Sequence, residues 1–454
     1  MYDLIVKGLG QNKETLTMVI IIIIIIIIII IIIIIIILTS GILIARIVPS
    51  IIAQIQNTQG LQPVIMDRSL KAELIFDGLR NPTSMAFLGR DEILVLEKDQ
   101  GTVQEIVNRT ILPLPILRVN ISTDGERGLL GIAVAQHPAT QSGKSNTFVF
   151  LYYTENKNGA SVGNRVYRYS FIDNKLVNPK LILSLPADPG PFHNGGKVII
   201  GPDKNVYAVI GDLLTHRTEA QNVPSGGPPD LTSGVIRATQ DGEVVPNSPL
   251  GNNYPLNRYY AYGIRNSFGL DFDPVTKKLW DTENGPNYGD EINLVEAGFN
   301  SGWAKVQGIW TPVGSIGGED TGQESVHPSD LVTFGGKGKY SAPEFIWSQT
   351  VAPTALKFFN STLLGKRYQN DLFVGDYNNG NLYHFKLNQN RTQLLLNSKF
   401  ADKIAYTPED AATFILGSGF GGGITDLQVG PNGFLYVLTF GGSIYRIGPN
   451  NSPG

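Results

Sequence analysis

The sequence predicts an all-β fold, a six-bladed β-propeller preceded by a single N-terminal transmembrane helix, and three observations carry that expectation. A strand–turn–strand pattern recurs six times, with starts near Pro82, Gly128, Asn194, Tyr262, Ala352 and Gly423; repeated four-stranded units around an axis make a propeller. The 454 residues include 51 glycines and 27 prolines, with 18 tyrosines and 20 phenylalanines against 4 methionines. That mix suits many short strands joined by tight turns. The third observation is an unbroken run of isoleucine from Ile20 to Ile37.

Residues 1–18 are a short N-terminal tail and residues 19–45 the expected membrane anchor. Twenty apolar residues at about 1.5 Å rise span about 30 Å, the hydrocarbon thickness of a bilayer. In lipid the backbone must satisfy its own hydrogen bonds, so even isoleucine is forced into helix. Lys7 and Lys13 precede the run and Arg46 follows it, which favours an inside N-terminus and a domain on the external face. Five N-x-S/T sites, at Asn108, Asn120, Asn360, Asn390 and Asn450, are compatible with that placement. Residues 46–72, with Gln54, Gln56, Asn57, Gln59 and Gln62, read as a polar stalk.

The propeller is expected over residues 73–448, with 449–454 as a C-terminal tail. Its clearest repeat pair is VIIGPDKNVYAVIGD (Val198–Asp212) and LQVGPNGFLYVLTFGGSIYRIG (Leu427–Gly448). In both, Gly-Pro-Asp or Gly-Pro-Asn makes the turn, because proline presets φ and Asp or Asn suits the next position. Longer loops, such as Asn222–Asp230 and Val313–Tyr340, are expected to shape the channel mouth. A net charge of −3 without a long basic run gives no sign of a nucleic-acid partner. The absence of cysteine excludes disulfides, thiolate metal sites and a cysteine nucleophile.

Four segments carry candidate chemistry: DGERGLLGIAV (Asp124–Val134), FHNGGK (Phe192–Lys197), YAYGIRNSFG (Tyr260–Gly269) and DTENGPNYGDEINLV (Asp281–Val295). His193 is one of five histidines and is followed by Asn194, Gly195 and Gly196, which leave room for a ligand. A neutral imidazole can take a proton at physiological pH. The planar fork of Arg265 suits carbonyl or carboxylate oxygens, and Asn266 adds a donor and an acceptor. In ENGPNYGDE, carbonyls and carboxylates without sulfur suit calcium rather than zinc. Each motif also has a plain structural reading: a hydrogen-bonded strand-end histidine, an arginine bridging blades, solvated loop acids.

In this order, the four segments resemble the glucose/sorbosone dehydrogenase family, over roughly Leu74 to Ile447. The resemblance implies a six-bladed propeller that oxidises a sugar or related alcohol with pyrroloquinoline quinone and calcium and passes electrons to an acceptor. It implies His193 as general base and Arg265 as the residue orienting the cofactor. Cofactor contacts would come from Glu126, Arg265, Asn266, Asn284 and Thr350, and calcium contacts from Gly285 and Pro286, with Asp290 and Glu291 just beyond. Phe345 and Trp347 are candidate stacking surfaces. The chain departs from the family pattern where cations would meet the quinone's carboxylates: Asn378, Gly423 and Thr425 stand there instead. Lys337, Lys339 and Lys357 are the candidates to compensate. Phe192 likewise replaces an acid beside the histidine, and Glu126 a substrate-contacting glutamine. The departures keep two other readings open, a non-catalytic propeller binding glycan or protein through its mouth loops and a structural cell-surface protein.

Overall fold

The computed structural model describes residues 62–137, 146–214, 216–309 and 327–450. Its strands form an all-β propeller in which six sheets follow one another in chain order. They comprise residues 82–118, 129–185, 198–262, 267–347, 353–418 and 424–449, numbered here as sheets one to six. Several are completed by strands from elsewhere. Phe299–Asn300 and Lys339–Tyr340 join sheet three, and Ile404–Ala405 joins sheet four.

The innermost strands are Pro82–Gly89, Leu129–His137, Val198–Ile200, Ser267–Phe272, Pro353–Phe358 and Ile424–Val429. Each packs on the next, and the last packs on the first, so the ring closes. Every repeat start expected from the sequence falls at or just before one of these strands. Six apolar clusters fill the joints, each drawn mainly from two consecutive sheets. In the joint between sheets four and five, Trp280, Phe345, Trp347 and Phe358 are buried together. Phe345 and Trp347 are therefore core residues, packed edge to face at 4.9 Å, and not the stacking surfaces expected for a ligand.

The paired Gly-Pro turns form as their sequences require. The amide of Gly201 donates to the carbonyl of Asn205 at 2.8 Å, and that of Gly430 to Phe434 at 3.0 Å. Each turn's Asx side chain then bonds a tyrosine hydroxyl on the next strand: Tyr207 donates to Asp203 at 2.8 Å, and Asn432 Nδ2 donates to Tyr436 at 2.7 Å.

Residues 64–65 and 70–72, expected in the stalk, belong to the sheets. Leu70–Phe76 pairs antiparallel with Ile444–Pro449 as the outer strand of sheet six. Val64–Ile65 pairs with Ile415–Ser418 in sheet five. The sheets thus begin ahead of residue 73. The expected anchor, 19–45, and most of the stalk lie outside the described residues; among the described residues no helix is long and apolar enough to cross a membrane.

Candidate active site

A cavity of about 500 Å³ opens at one end of the ring, where the ends of all six sheets contribute to its lining. His193, Arg265, Asn266, Glu126, Asn284, Gly285 and Pro286 all face it, so residues spread over 160 positions of sequence (126 to 286) share one site. Thr350 is not in the lining; its carbonyl accepts from Asn378 Nδ2 at 3.3 Å, and Ala352 and Thr354 face the cavity instead. The loops expected to shape the mouth, 222–230 and the described part of 313–340, contribute no lining residue. Asn222 is instead buried, bonded to Asn300 and to the carbonyl of Trp303 at 2.8 Å each.

His193 sits at the entry to sheet three with φ 60°, and Gly195 and Gly196 follow with positive φ. This bend needs its glycines. A Cβ on Gly195 would lie 2.5 Å from the carbonyl of Val209, and one on Gly211 would lie 2.4 Å from that of Arg265. The bend brings His193 Nδ1 within 2.5 Å of Asp212 Oδ1. Asp212 is fully buried and also accepts from the Leu214 amide at 2.9 Å and the Trp303 indole at 2.8 Å. With a carboxylate fixed by two other donors, the imidazole donates from Nδ1 and leaves the Nε2 lone pair for a proton. A histidine oriented in this way is a general base held in one tautomer. Asp212 was not singled out in the sequence, although it ends the Val198–Asp212 repeat; the strand register is what returns it to His193.

The neighbouring wall is one network. Asn266 Nδ2 donates to both Glu126 oxygens at 3.2 Å, and its Oδ1 accepts from the Gly195 amide at 3.2 Å. Glu126 Oε2 accepts from the Asn194 amide at 3.1 Å. Arg265 donates to the carbonyl of Asn284 at 2.8 Å, and its guanidinium lies 5.4 Å from the centre of the Trp303 ring. Burial lowers its pKa, opposed by the charges of Asp212, Glu126, Asp290 and Glu283. The amide-oxygen Oδ1 of Asn284 is buried without a hydrogen-bond partner. Such an atom at a cavity wall is a free acceptor for a ligand or cation.

Asp290 and Glu291 do not face the cavity. Asp290 accepts the amides of Gly285 at 2.8 Å, Val351 at 2.7 Å and Ala352 at 2.8 Å, so it clamps the Gly285–Pro286 loop onto sheet five. Burial pushes it up to about 6, with those amides and Arg265 pulling the other way. Glu291 accepts from Gln307 Nε2 at 2.9 Å, the Gly308 amide and Asn293 Nδ2 at 3.0 Å. Among the described residues no three His, Cys, Asp or Glu side chains converge as a metal site. Carbonyl and amide oxygens at Asn284–Pro286 are what remains for a hard cation.

The expected compensating lysines are elsewhere. Lys357 pairs with Asp271 at 3.0 Å, and none of Lys337, Lys339 and Lys357 lines the cavity. The cations that do are Lys98, Lys197 and Arg265. Lys98 pairs with Asp99 at 2.8 Å, and Lys197 with buried Asp426 at 2.6 Å. The wall at sheets five and six presents Ala352, Thr354, Tyr377, Thr425 and Phe440, none of them charged.

Comparison with known proteins places this chain in a family. The sequence pattern of Glucose / Sorbosone dehydrogenase matches residues 79–446. The chain is 25% identical over 392 residues to aldose sugar dehydrogenase YliI of Escherichia coli K12, covering 84% of this chain and 94% of that one. It is 30% identical over 284 residues to quinoprotein glucose dehydrogenase B of Acinetobacter calcoaceticus, covering 58% and 56%. Among solved structures, the apo form of the soluble E. coli aldose sugar dehydrogenase superposes with a TM-score of 0.63 at 21% identity, covering 84% of this chain and 100% of that one. The PQQ-bound aldose sugar dehydrogenase of Streptomyces coelicolor gives 0.58 at 21% identity, covering 86% and 100%. The chain belongs to the glucose/sorbosone dehydrogenase family.

Proposed function

We propose that the chain is an oxidoreductase acting on a sugar or related alcohol in this cavity, its six sheets serving as propeller blades. The carrying observation is the His193–Asp212 pair: a cavity-facing imidazole with a free Nε2, fixed by a buried carboxylate. Oxidising a hydroxyl-bearing carbon removes a hydride from carbon and a proton from oxygen. His193 Nε2 takes the proton, and Asp212 stabilises the imidazolium that results. Glu126 and Asn266 place hydrogen-bonding groups beside it to hold neighbouring hydroxyls.

The hydride requires an acceptor, and the family implies pyrroloquinoline quinone with calcium. The site matches that group at one end only. Arg265, Gly285, Pro286 and the unpartnered Asn284 Oδ1 suit quinone carbonyls and a hard cation. The opposite wall offers the carboxylates no cation, and a carboxylate moved from water to an uncharged wall is costly.

The test is dye-linked turnover of a sugar panel by the full chain, with quinone and calcium added. His193→Ala is expected to lose about 10²–10⁴-fold in rate, the usual contribution of a general base. Unchanged turnover in that variant would remove the assignment of the base, and absence of turnover under all conditions would leave a glycan-binding propeller. For that second reading the uncharged wall is the supporting observation.

The placement we propose is an anchor at residues 19–45 with the propeller outside the cell. The isoleucine run supports it, and the five N-x-S/T asparagines are all exposed. Protease treatment of intact cells should release the propeller; full protection would contradict the orientation.

A further inference from the structure

The wall formed by sheets five and six holds the positions where the family resemblance puts cations and this chain has none, and its details show a built surface. Tyr377 and Phe440 pack edge to face, with centroids 5.5 Å apart and planes at 68°. Tyr377 remains 40% exposed while lining the cavity. Both are tied to Gly423, a position where the family resemblance puts a cation. The amide of Phe440 donates to the carbonyl of Gly423 at 2.9 Å. A Cβ at Gly423 would lie 2.3 Å from the carbonyl oxygen of Tyr377, and φ there is 83°. No arginine can stand at 423 while Tyr377 keeps this backbone. The aromatic pair and the missing cation are thus one feature.

The hydroxyls of the same region point one way, and the Lys197 ammonium that reaches it is paired with buried Asp426 at 2.6 Å. Thr425 Oγ1 donates to the carbonyl of Pro82 at 2.9 Å, Thr83 Oγ1 to that of Leu129 at 2.8 Å, and Thr354 Oγ1 to that of Ile424. Ser84 Oγ donates to Asp426 Oδ2 at 2.9 Å. Carbonyl and carboxylate oxygens can only accept, so each hydroxyl has its proton committed to the protein. What these four side chains offer the cavity is lone pairs. A sugar hydroxyl donates to a lone pair; an ionised carboxylate has only acceptors and meets it with repulsion. An aromatic face, in turn, packs against the apolar C–H face of a sugar ring.

We propose that this wall is a subsite for an uncharged, hydroxyl-rich ring, a neutral sugar, and that it discriminates against ligands bearing carboxylates. The proposal rests on the reading of the cavity as a sugar site and narrows it: the ring packs on Tyr377 and Phe440 while its hydroxyls donate to Thr83, Thr354 and Thr425.

The experiment is saturation-transfer NMR and calorimetry on the full chain, with glucose, galactose, xylose, maltose and cellobiose as neutral probes and citrate as the tricarboxylate. At least one neutral sugar is expected to bind saturably, and citrate at least about tenfold more weakly. Tyr377→Ala and Phe440→Ala should each weaken the sugar about tenfold, the size of one aromatic contact of about 1.4 kcal/mol. Tyr377→Phe, which keeps the ring, should stay within about threefold, as binding through ring packing alone predicts. Tyr377 is exposed enough for its replacement to leave the fold intact, which an unchanged melting midpoint verifies. Binding of citrate as tight as the best sugar, binding indifferent to Tyr377→Ala, or no binding by any neutral probe each overturns the proposal. The two readings fail separately. Turnover that depends on His193 but not on Tyr377 overturns the subsite alone. Sugar binding that depends on Tyr377 without turnover overturns the oxidoreductase and keeps the subsite.

Discussion

The two walls of the cavity are built from the same repeat and do different work. On the side of sheets two to four, charged and amide groups are locked into a network: His193 on Asp212, Asn266 on Glu126, Arg265 on Asn284. On the side of sheets five and six, the lining is Ala352, the aromatic pair and two threonines whose hydroxyl protons are already used. The first wall is organised for proton transfer and for holding oxygen atoms. The second is organised for the face of a ring. The lesson is that one propeller can keep a reactive wall while exchanging the chemistry of the wall opposite, because each is presented by different sheets of the ring.

The sharpest way to separate the walls is Asp212→Asn. It leaves the shape but removes the charge that fixes the His193 tautomer and stabilises its protonated form. Turnover is expected to fall about 10²–10⁴-fold, as removal of an orienting carboxylate does elsewhere, while neutral-sugar affinity stays nearly constant. An equal loss in both would mean that the walls are not independent.

Next comes Gly423→Arg, which puts a cation where the family resemblance expects one. Because a Cβ there meets the Tyr377 carbonyl at 2.3 Å, the variant should lose sugar binding and melt several degrees lower without gaining citrate. Gain of tight citrate binding in a stable protein would show that the glycine is incidental.

A smaller effect tests the support behind the reactive wall. Asp281 is fully buried, and burial pushes it up to about 7, with Asn293 and Ser267 pulling the other way. Burial likewise raises neighbouring Glu291 to about 8, with the charges of Asp281 and Asp290 adding to it, and Glu283 well above its usual value, with those of Glu291 and Asp281 adding to it. An acid raised on folding favours the native state when protonated. Stability is therefore fullest below its unfolded value of 3.8 and declines as pH rises towards about 7. Asp281→Asn should raise the melting midpoint at pH 8 by a few degrees and flatten the decline between pH 4 and pH 7. A lower midpoint at pH 8 would mean that the carboxylate has a partner in solution, such as a cation.

The sequence made the inner ring legible and the outer edges illegible. The second strands carry the long apolar runs, such as VYAVI and LYVLT, and Gly-Pro turns tie two of them to the inner strands, so all six starts could be placed from Pro82 to Gly423. Leu70–Phe76 closes the ring as an outer strand, half exposed, with Lys71 and Glu73 among its residues. Residues 73–76 fall within the expected propeller, while 70–72 follow the glutamine-rich run and read with it as a spacer. The site divides in the same way. His193, Arg265, Asn266, Gly285 and Pro286 stand in motifs that themselves bend towards the cavity. Asp290 and Glu291 look like ligands because a sequence shows carboxylates but not the backbone amides they accept. Tyr377 and Phe440 were invisible as a pair, since 63 residues separate them and only packing through Gly423 brings them together.

The most direct measurement is a crystal structure of the full chain or its released propeller with a neutral sugar bound. The account predicts one hydroxyl oxygen within about 2.6–3.2 Å of His193 Nε2, the reach of a general base, and the ring packed against Tyr377 and Phe440. A sugar held outside this cavity, or held in it by Lys98 and Lys197 with no hydroxyl near His193, would contradict it.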